Sequence, residues 1–199
     1  KSFHYFWEMK NIQIFFLLLS FSVFSQSTLE KAEKLYAQKK YNEAEKLFSE
    51  HLKSHPNHTK TIEYLGDIAG HQKKWDAAIT NYKKLKVSYP KNANYWYKYG
   101  GALGMKAKES NKFKALGMID EVEESFLTAA KLDSKHIETR WALVMLYIEL
   151  PAMIGGSEKK AQKYADELIA LSKVDGYLAK GYIDVYFSRY SKAEINYKK

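Results

Sequence analysis

An all-α chain of stacked antiparallel helix pairs is the fold class this sequence predicts, and three observations predict it. First, YNEAEKLFSEHLKSHP at residues 41–56 returns as WDAAITNYKKLKVSYP at 75–90, so that Tyr41 and Trp75, Ala44 and Ala78, Phe48 and Tyr82, and Pro56 and Pro90 all stand 34 residues apart. Four coincidences in one register mark an internal repeat. Second, Leu65-Gly66 and Tyr99-Gly100 stand in the same register one segment upstream, again 34 apart. Third, 46% apolar and 28% charged residues in 199 are the composition of a globular chain rather than a disordered one.

In chain order, residues 1–8 precede Met9, carry no usable pattern, and are expected to be upstream sequence outside the gene product. Residues 9–25 read as a signal peptide. Lys10 follows Met9, Ile12 to Phe24 form a short apolar run broken by Gln13, Ser20 and Ser22, and Val23-Phe24-Ser25 is a small-residue site predicting cleavage between Ser25 and Gln26. That run is shorter than the roughly 20 residues a spanning helix needs. Next comes the repeat itself. Gly66 and Ala78 are small where two helices must approach, Phe48 and Tyr82 fill the space between neighbouring pairs, and Pro56 and Pro90 end the second helix of a pair.

With Trp96-x-x-Tyr99-Gly100-x-x-Leu103 and Ile62-x-x-Leu65-Gly66-x-x-Ala69 in place, the sequence resembles the tetratricopeptide repeat family, whose pattern is W-x-x-L-G-x-x-Y, then A, an aromatic and P. The resemblance runs from Thr28 to Lys199, closely in the first two units and loosely afterwards. It implies a solenoid of antiparallel helix pairs in a right-handed superhelix, with about five units near 26–58, 59–92, 93–136, 137–173 and 174–199. Departures from the pattern are local. Leu132-Asp133-Ser134 carries serine where the family has proline and lies 44 residues after Pro90, so an insertion between Leu103 and Val122 is expected to lengthen both helices of the third pair. The fourth pair runs through Leu143, Tyr147, Ala161 and Leu168 with a long loop, PAMIGGSEKKA, and a partial fifth begins near Gly176 and shows Tyr190-x-x-Ala193-x-x-x-Tyr197.

The family resemblance further implies that a peptide or protein is held in a concave groove lined by the first helix of each pair. Its positions fall on Leu29, Glu33 and Tyr36, then Lys60, Glu63 and Asp67, then Asn94 and Tyr97. The fourth unit gives Glu138, Trp141, Met145 and Ile148, and the fifth Leu178, Tyr182 and Val185. Among them Glu33, Tyr36, Glu63, Asp67, Tyr97, Glu138, Trp141, Met145 and Tyr182 suggest a groove that prefers a basic, partly apolar segment, with rings supplying area and cation–π contacts and carboxylates giving orientation. The alternative is that the rings belong to the core and the acids to an ordinary wet surface. A lysine–asparagine clamp on a chain-terminal carboxylate, known in the family, would need those residues where Leu29 and Glu33 stand, so that mode is not expected.

The formal charge of +9 is nearly all lysine, with Arg140 and Arg189 the only arginines, and removing residues 1–25 lowers it by only one. Bidentate phosphate forks are therefore scarce, and nucleic acid is not an expected partner. No cysteine is present, which excludes a disulfide framework and a thiolate metal site. His51, His55 and His58 are the one dense histidine cluster and the weak metal-ligand candidates, since a four-residue step puts the first two on one helical face. Pro56 interrupts that helix, and histidines near a helix C-terminus are favourable through the dipole alone, so no metal is expected. Gly155-Gly156-Ser157 lacks a phosphate loop's lysine spacing and reads as a helix C-cap followed by a serine N-cap. No nucleophile–base order or paired carboxylate stands out. The sequence thus predicts a noncatalytic, cofactor-free scaffold of the bacterial cell envelope, periplasmic or secreted, binding a partner protein. The alternatives are a small-ligand accessory of envelope uptake with a pocket at Tyr97, Trp141 and Met145, or a module that self-associates through its C-terminal unit.

Overall fold

The structure is a computed structural model that describes residues 28–199, and the leader expected at 9–25 lies outside the described residues. The fold is all-α. Among the described residues ten helices follow one another: α1 (28–37), α2 (Tyr41–Ser54), α3 (Thr59–His71), α4 (Trp75–Ser88), α5 (Ala93–Glu109), α6 (Lys112–Leu132), α7 (Ile137–Glu149), α8 (Glu158–Leu171), α9 (Lys173–Tyr186) and α10 (Tyr190–Tyr197). A 3₁₀ turn, Ala152–Ile154, lies between α7 and α8. The described chain divides into two compact units, residues 28–71 and 72–199, with the boundary in the turn after α3.

Helix ends follow from local chemistry. The residue before a proline is kept out of the α region, and α2 and α4 stop two residues short of Pro56 and Pro90. Their last residues repeat almost to the degree: His55 has φ −131°, ψ 66° and Tyr89 has φ −130°, ψ 65°, while each N–H still donates four residues back, to the His51 and Leu85 carbonyls. The turns after α1, α3 and α9 share a second device. Lys39, Lys73 and Ser188 take φ of 59°, 58° and 58°, left-handed values normally reserved for glycine. Around two of them the Lys40 and Arg189 N–H groups reach back to the Leu35 and Asp184 carbonyls at 2.9 and 2.8 Å, completing Schellman motifs.

The starts of α3 and of α5 to α9 are capped by side chains, whereas α2, α4 and α10 have no side-chain cap. Asn92, Asn111, Ser157 and Ser172 accept from the third backbone N–H beyond them. At α7 the acceptor is a histidine, His136 Nδ1, 3.2 Å from the Thr139 N–H. His58 Nδ1 takes the same place at α3, lying 2.8 Å from Thr61 Oγ1. Gly155, at φ 102°, closes the 3₁₀ turn rather than α7, which ends at Glu149 with Leu150 as its cap, whereas Ser157 caps α8 as its spacing predicts.

In the first unit Ala32, Ala44, Phe48 and Ile68 form the core, and Phe48 stacks on Tyr64 at 4.7 Å. In the second unit the core runs along the pairs α5–α6, α7–α8 and α9–α10, with Leu143, Leu168 and Ile183 wholly buried. Gly100 marks the closest approach: a Cβ there would stand 2.9 Å from the Ser125 Cβ and 3.1 Å from the Phe126 ring. The residues between Leu103 and Val122 lie in α5, α6 and the Ser110-Asn111 turn between them, and the two helices reach 17 and 21 residues where α3 and α7 have 13.

Candidate functional site

The first helices of the pairs carry the candidate residues, and each unit has its own face. In the first, α1 and α3 bring Glu33, Tyr36, Glu63 and Asp67 together. Glu33 accepts an ion pair from Lys60 at 2.7 Å, and the Lys60 ammonium sits 5.5 Å above the Tyr64 ring. Tyr36 lies at the centre, its ring 4.8 Å from Tyr64 and 5.7 Å from Tyr41. Burial pushes its phenol up to about 12, and Asp67 and Glu63 push in the same direction because a phenolate would face their negative charge. Leu29 and Tyr36 also pack against the Phe48 core, so this ring is both core and surface.

In the second unit the face is built by α5, α7 and α9. Tyr97 is half-buried between Phe126 at 6.2 Å and His136 at 5.2 Å, and its phenol is raised first by burial and then by Glu138. Glu138 lies 3.3 Å from His136 Nδ1. Trp141 donates its indole N–H to Asp175 Oδ1 at 3.0 Å, and Asp175 is held below the usual carboxylate range first by the Ser172 hydroxyl and then by that indole. Met145, Leu178 and Val185 are exposed beside them. Tyr182 donates to Glu149 Oε1 at 3.3 Å. Ile148, assigned to the same face by register, is instead buried in the core.

Two acids on this face, Asp175 and Glu149, were missed in the sequence. Asp175 stands 37 residues after Glu138, the length of the fourth unit at 137–173, and that offset was the available signal. Both units therefore set a partly exposed ring near carboxylates: Asp67 and Glu63 act on Tyr36 through their charge, while Asp175 and Glu149 are hydrogen-bonded to Trp141 and Tyr182. Such a ring keeps an apolar flank for a ligand while the neighbouring acid makes its surroundings negative, an arrangement that attracts cations to the ring face.

The histidine cluster has close geometry. The His51 and His55 rings stack at 4.5 Å, and His58 meets His51 edge-on at 4.9 Å. His55 Nδ1 lies 3.0 Å from the Ser54 hydroxyl and His58 Nδ1 is engaged by Thr61 at the start of α3. Among the described residues no group of three histidines or acids is arranged to hold a metal ion. A cleft of about 490 Å³ in the second unit is lined by Lys73, Trp75, Asp76, Lys106, Glu109 and Ser110, and includes none of Tyr97, Trp141 and Met145.

No family model and no curated protein matches the sequence. Solved structures do match in fold. One is TTC0263, a thermophilic TPR protein in Thermus thermophilus, at a TM-score of 0.70 and 18% identity over 87% of this chain and 88% of that one. MamA matches at 0.65 and 19% identity, over 84% of this chain and 90% of its own. The human IFIT1 dimer with m7Gppp-AAAA matches at 0.71 and 20% identity, over 85% of this chain but 40% of its own.

Proposed function

We propose that this chain, which has the tetratricopeptide-repeat fold, is a noncatalytic scaffold of the bacterial cell envelope whose first-helix faces hold a basic, partly apolar segment of a partner protein. The observation that carries the reading is the recurrent pairing of ring and carboxylate: Tyr36 with Asp67 and Glu63, and Trp141 with Asp175. In a chain of formal charge +9, negative charge gathered beside aromatic edges selects for cationic ligands. Export is supported by the leader pattern at 9–25, and a mature N-terminus at Gln26, read by mass spectrometry of the exported chain, checks it.

The binding test titrates a lysine-rich amphipathic peptide and a glutamate-rich counterpart against the chain and against Glu63→Lys/Asp67→Lys and Trp141→Ala variants. The lysine-rich peptide is expected to bind at least about tenfold more tightly, and each variant to lose about tenfold in its affinity, because like charge repels and a packed ring is lost. Equal weak binding of both peptides would overturn the reading.

A further inference from the structure

The residues that exceed the repeat length build the most exposed apolar side chains of the second unit. Phe113, at the start of α6, and Met153, in the loop before α8, are each 89% exposed. Both lie on one edge of the unit, where α5 turns into α6, α7 into α8 and α9 into α10. Three ion pairs join that edge side by side: Lys106 with Asp76 at the start of α4, Lys108 with Glu149 at 2.5 Å, and Arg189 with Glu158 at 2.5 Å. Leu116, Phe187 and Tyr190 are exposed along the same edge. Helices α5 and α6 are four and seven residues longer than the 13 of α7 and the 14 of α8, so at 1.5 Å per residue their tip projects by roughly 6 to 10 Å.

Charge at this edge favours cations. Asp76, Glu149 and Glu158 are each engaged by a cation, Asp184 shares Arg189 with Glu158, and Glu109 adds one further negative charge. Against them stand the exposed Lys73, Lys112, Lys114 and Lys159, with Lys112 and Lys114 on either side of Phe113.

We infer that this turn edge docks on the surface of an anionic lipid bilayer, with Phe113 and Met153 entering the boundary between headgroups and acyl chains and the lysines lying among the headgroups. Two features favour a lipid surface over other polyanions. Phe113 stands on the projecting α5–α6 tip and Met153 on the loop before α8, each exposed singly in a way suited to a soft, flat phase and not to a pocket. The cations are lysines, compact charges that attract anionic headgroups without the forked geometry of phosphate recognition, while Arg189 is occupied by Asp184 and Glu158. The contact is peripheral: among the described residues no helix is long and apolar enough to cross a membrane.

The absence of cysteine allows one label at a time in the full chain. Gly117→Cys places a polarity-sensitive dye one turn from Phe113, at a position where an added Cβ meets nothing within 4 Å. Ser134→Cys places the same dye on the opposite edge, between α6 and α7. Each is mixed with vesicles of phosphatidylcholine alone or with phosphatidylglycerol added. The expected result is a blue shift, and quenching by brominated acyl chains, at position 117 only and with the anionic vesicles only. Lys112→Glu/Lys114→Glu, which places favourable acids in the first turn of α6 and so preserves the helix, is expected to raise the lipid needed by at least about tenfold. Identical spectra at 117 and 134 would overturn the inference. So would equal binding to both vesicle types, the behaviour of an apolar contact that does not read charge. A shift at 117 produced by single-stranded RNA and not by anionic vesicles would replace lipid with nucleic acid and equally overturn it.

Discussion

Tyr36 concentrates the chemistry of the first unit in one side chain. It packs on the Phe48 core, leans on Tyr64 and Tyr41, and faces Asp67 and Glu63, so its phenol is held neutral up to about 12. The consequence for stability has a definite sign. The unfolded phenol ionises near the ordinary value of 10.0, so between there and 12 the unfolded chain has released a proton that the folded chain retains, and stability falls as pH rises through that window. In an ultraviolet titration of the sixteen tyrosines, Tyr36→Phe is expected to remove a component with its midpoint near 12. The same variant should flatten the alkaline loss of stability between 10.0 and 12, and a missing component centred near 10 would contradict the packing described. The sequence placed Tyr36 on this face by register alone. Its neighbours Asp67 and Glu63 were legible in the same way, because all three come from first helices in one repeat phase. The pairing of Asp175 and Glu149 with their rings was not, since register assigns positions without saying which polar edges meet.

At the scale of elements, the helices and several of their ends were the most legible part, because those ends have a local cause: a proline two residues on, or a serine or asparagine three before a free N–H. The left-handed turns at Lys39, Lys73 and Ser188 were hidden because no glycine marks them, and the caps at His58 and His136 because histidine is an uncommon N-cap. A shared His-x-x-Thr spacing was the overlooked sign. The α5–α6 contact offers a paired test. Gly100 and Gly101 are adjacent in one helix, where alanine is favoured over glycine by about 1 kcal/mol. At Gly101 an added Cβ meets nothing within 4 Å, so Gly101→Ala is expected to stabilise by up to that amount. At Gly100 the same methyl would stand 2.9 Å from the Ser125 Cβ, which cannot swing aside, and overpacking by about 1–3 kcal/mol outweighs propensity. Urea midpoints moving in opposite directions would establish that the first glycine is held by packing, and a gain at both positions would show that α5 and α6 can separate without cost.

At the scale of the whole molecule, helices of the second unit pack chiefly against their neighbours in sequence, as α5 does on α6 and α8 on α9, so its stability is a sum of local pairings and not one shared core. Such a chain need not open all at once. The first unit is held by the small cluster of Ala32, Ala44, Phe48 and Ile68, in which Phe48 is wholly buried and stacked on Tyr64. Phe48→Ala removes that ring and leaves a cavity costing about 3–5 kcal/mol, a large part of what one or two helix pairs can supply. Amide hydrogen exchange read by mass spectrometry is therefore expected to accelerate throughout α1, α2 and α3 in this variant. Amides of α7, α8 and α9, whose core residues Leu143, Leu168 and Ile183 are untouched, are expected to keep their protection. Acceleration by one common factor from α1 to α10 would mean that the chain opens as a single cooperative body, and the local account of its stability would fail.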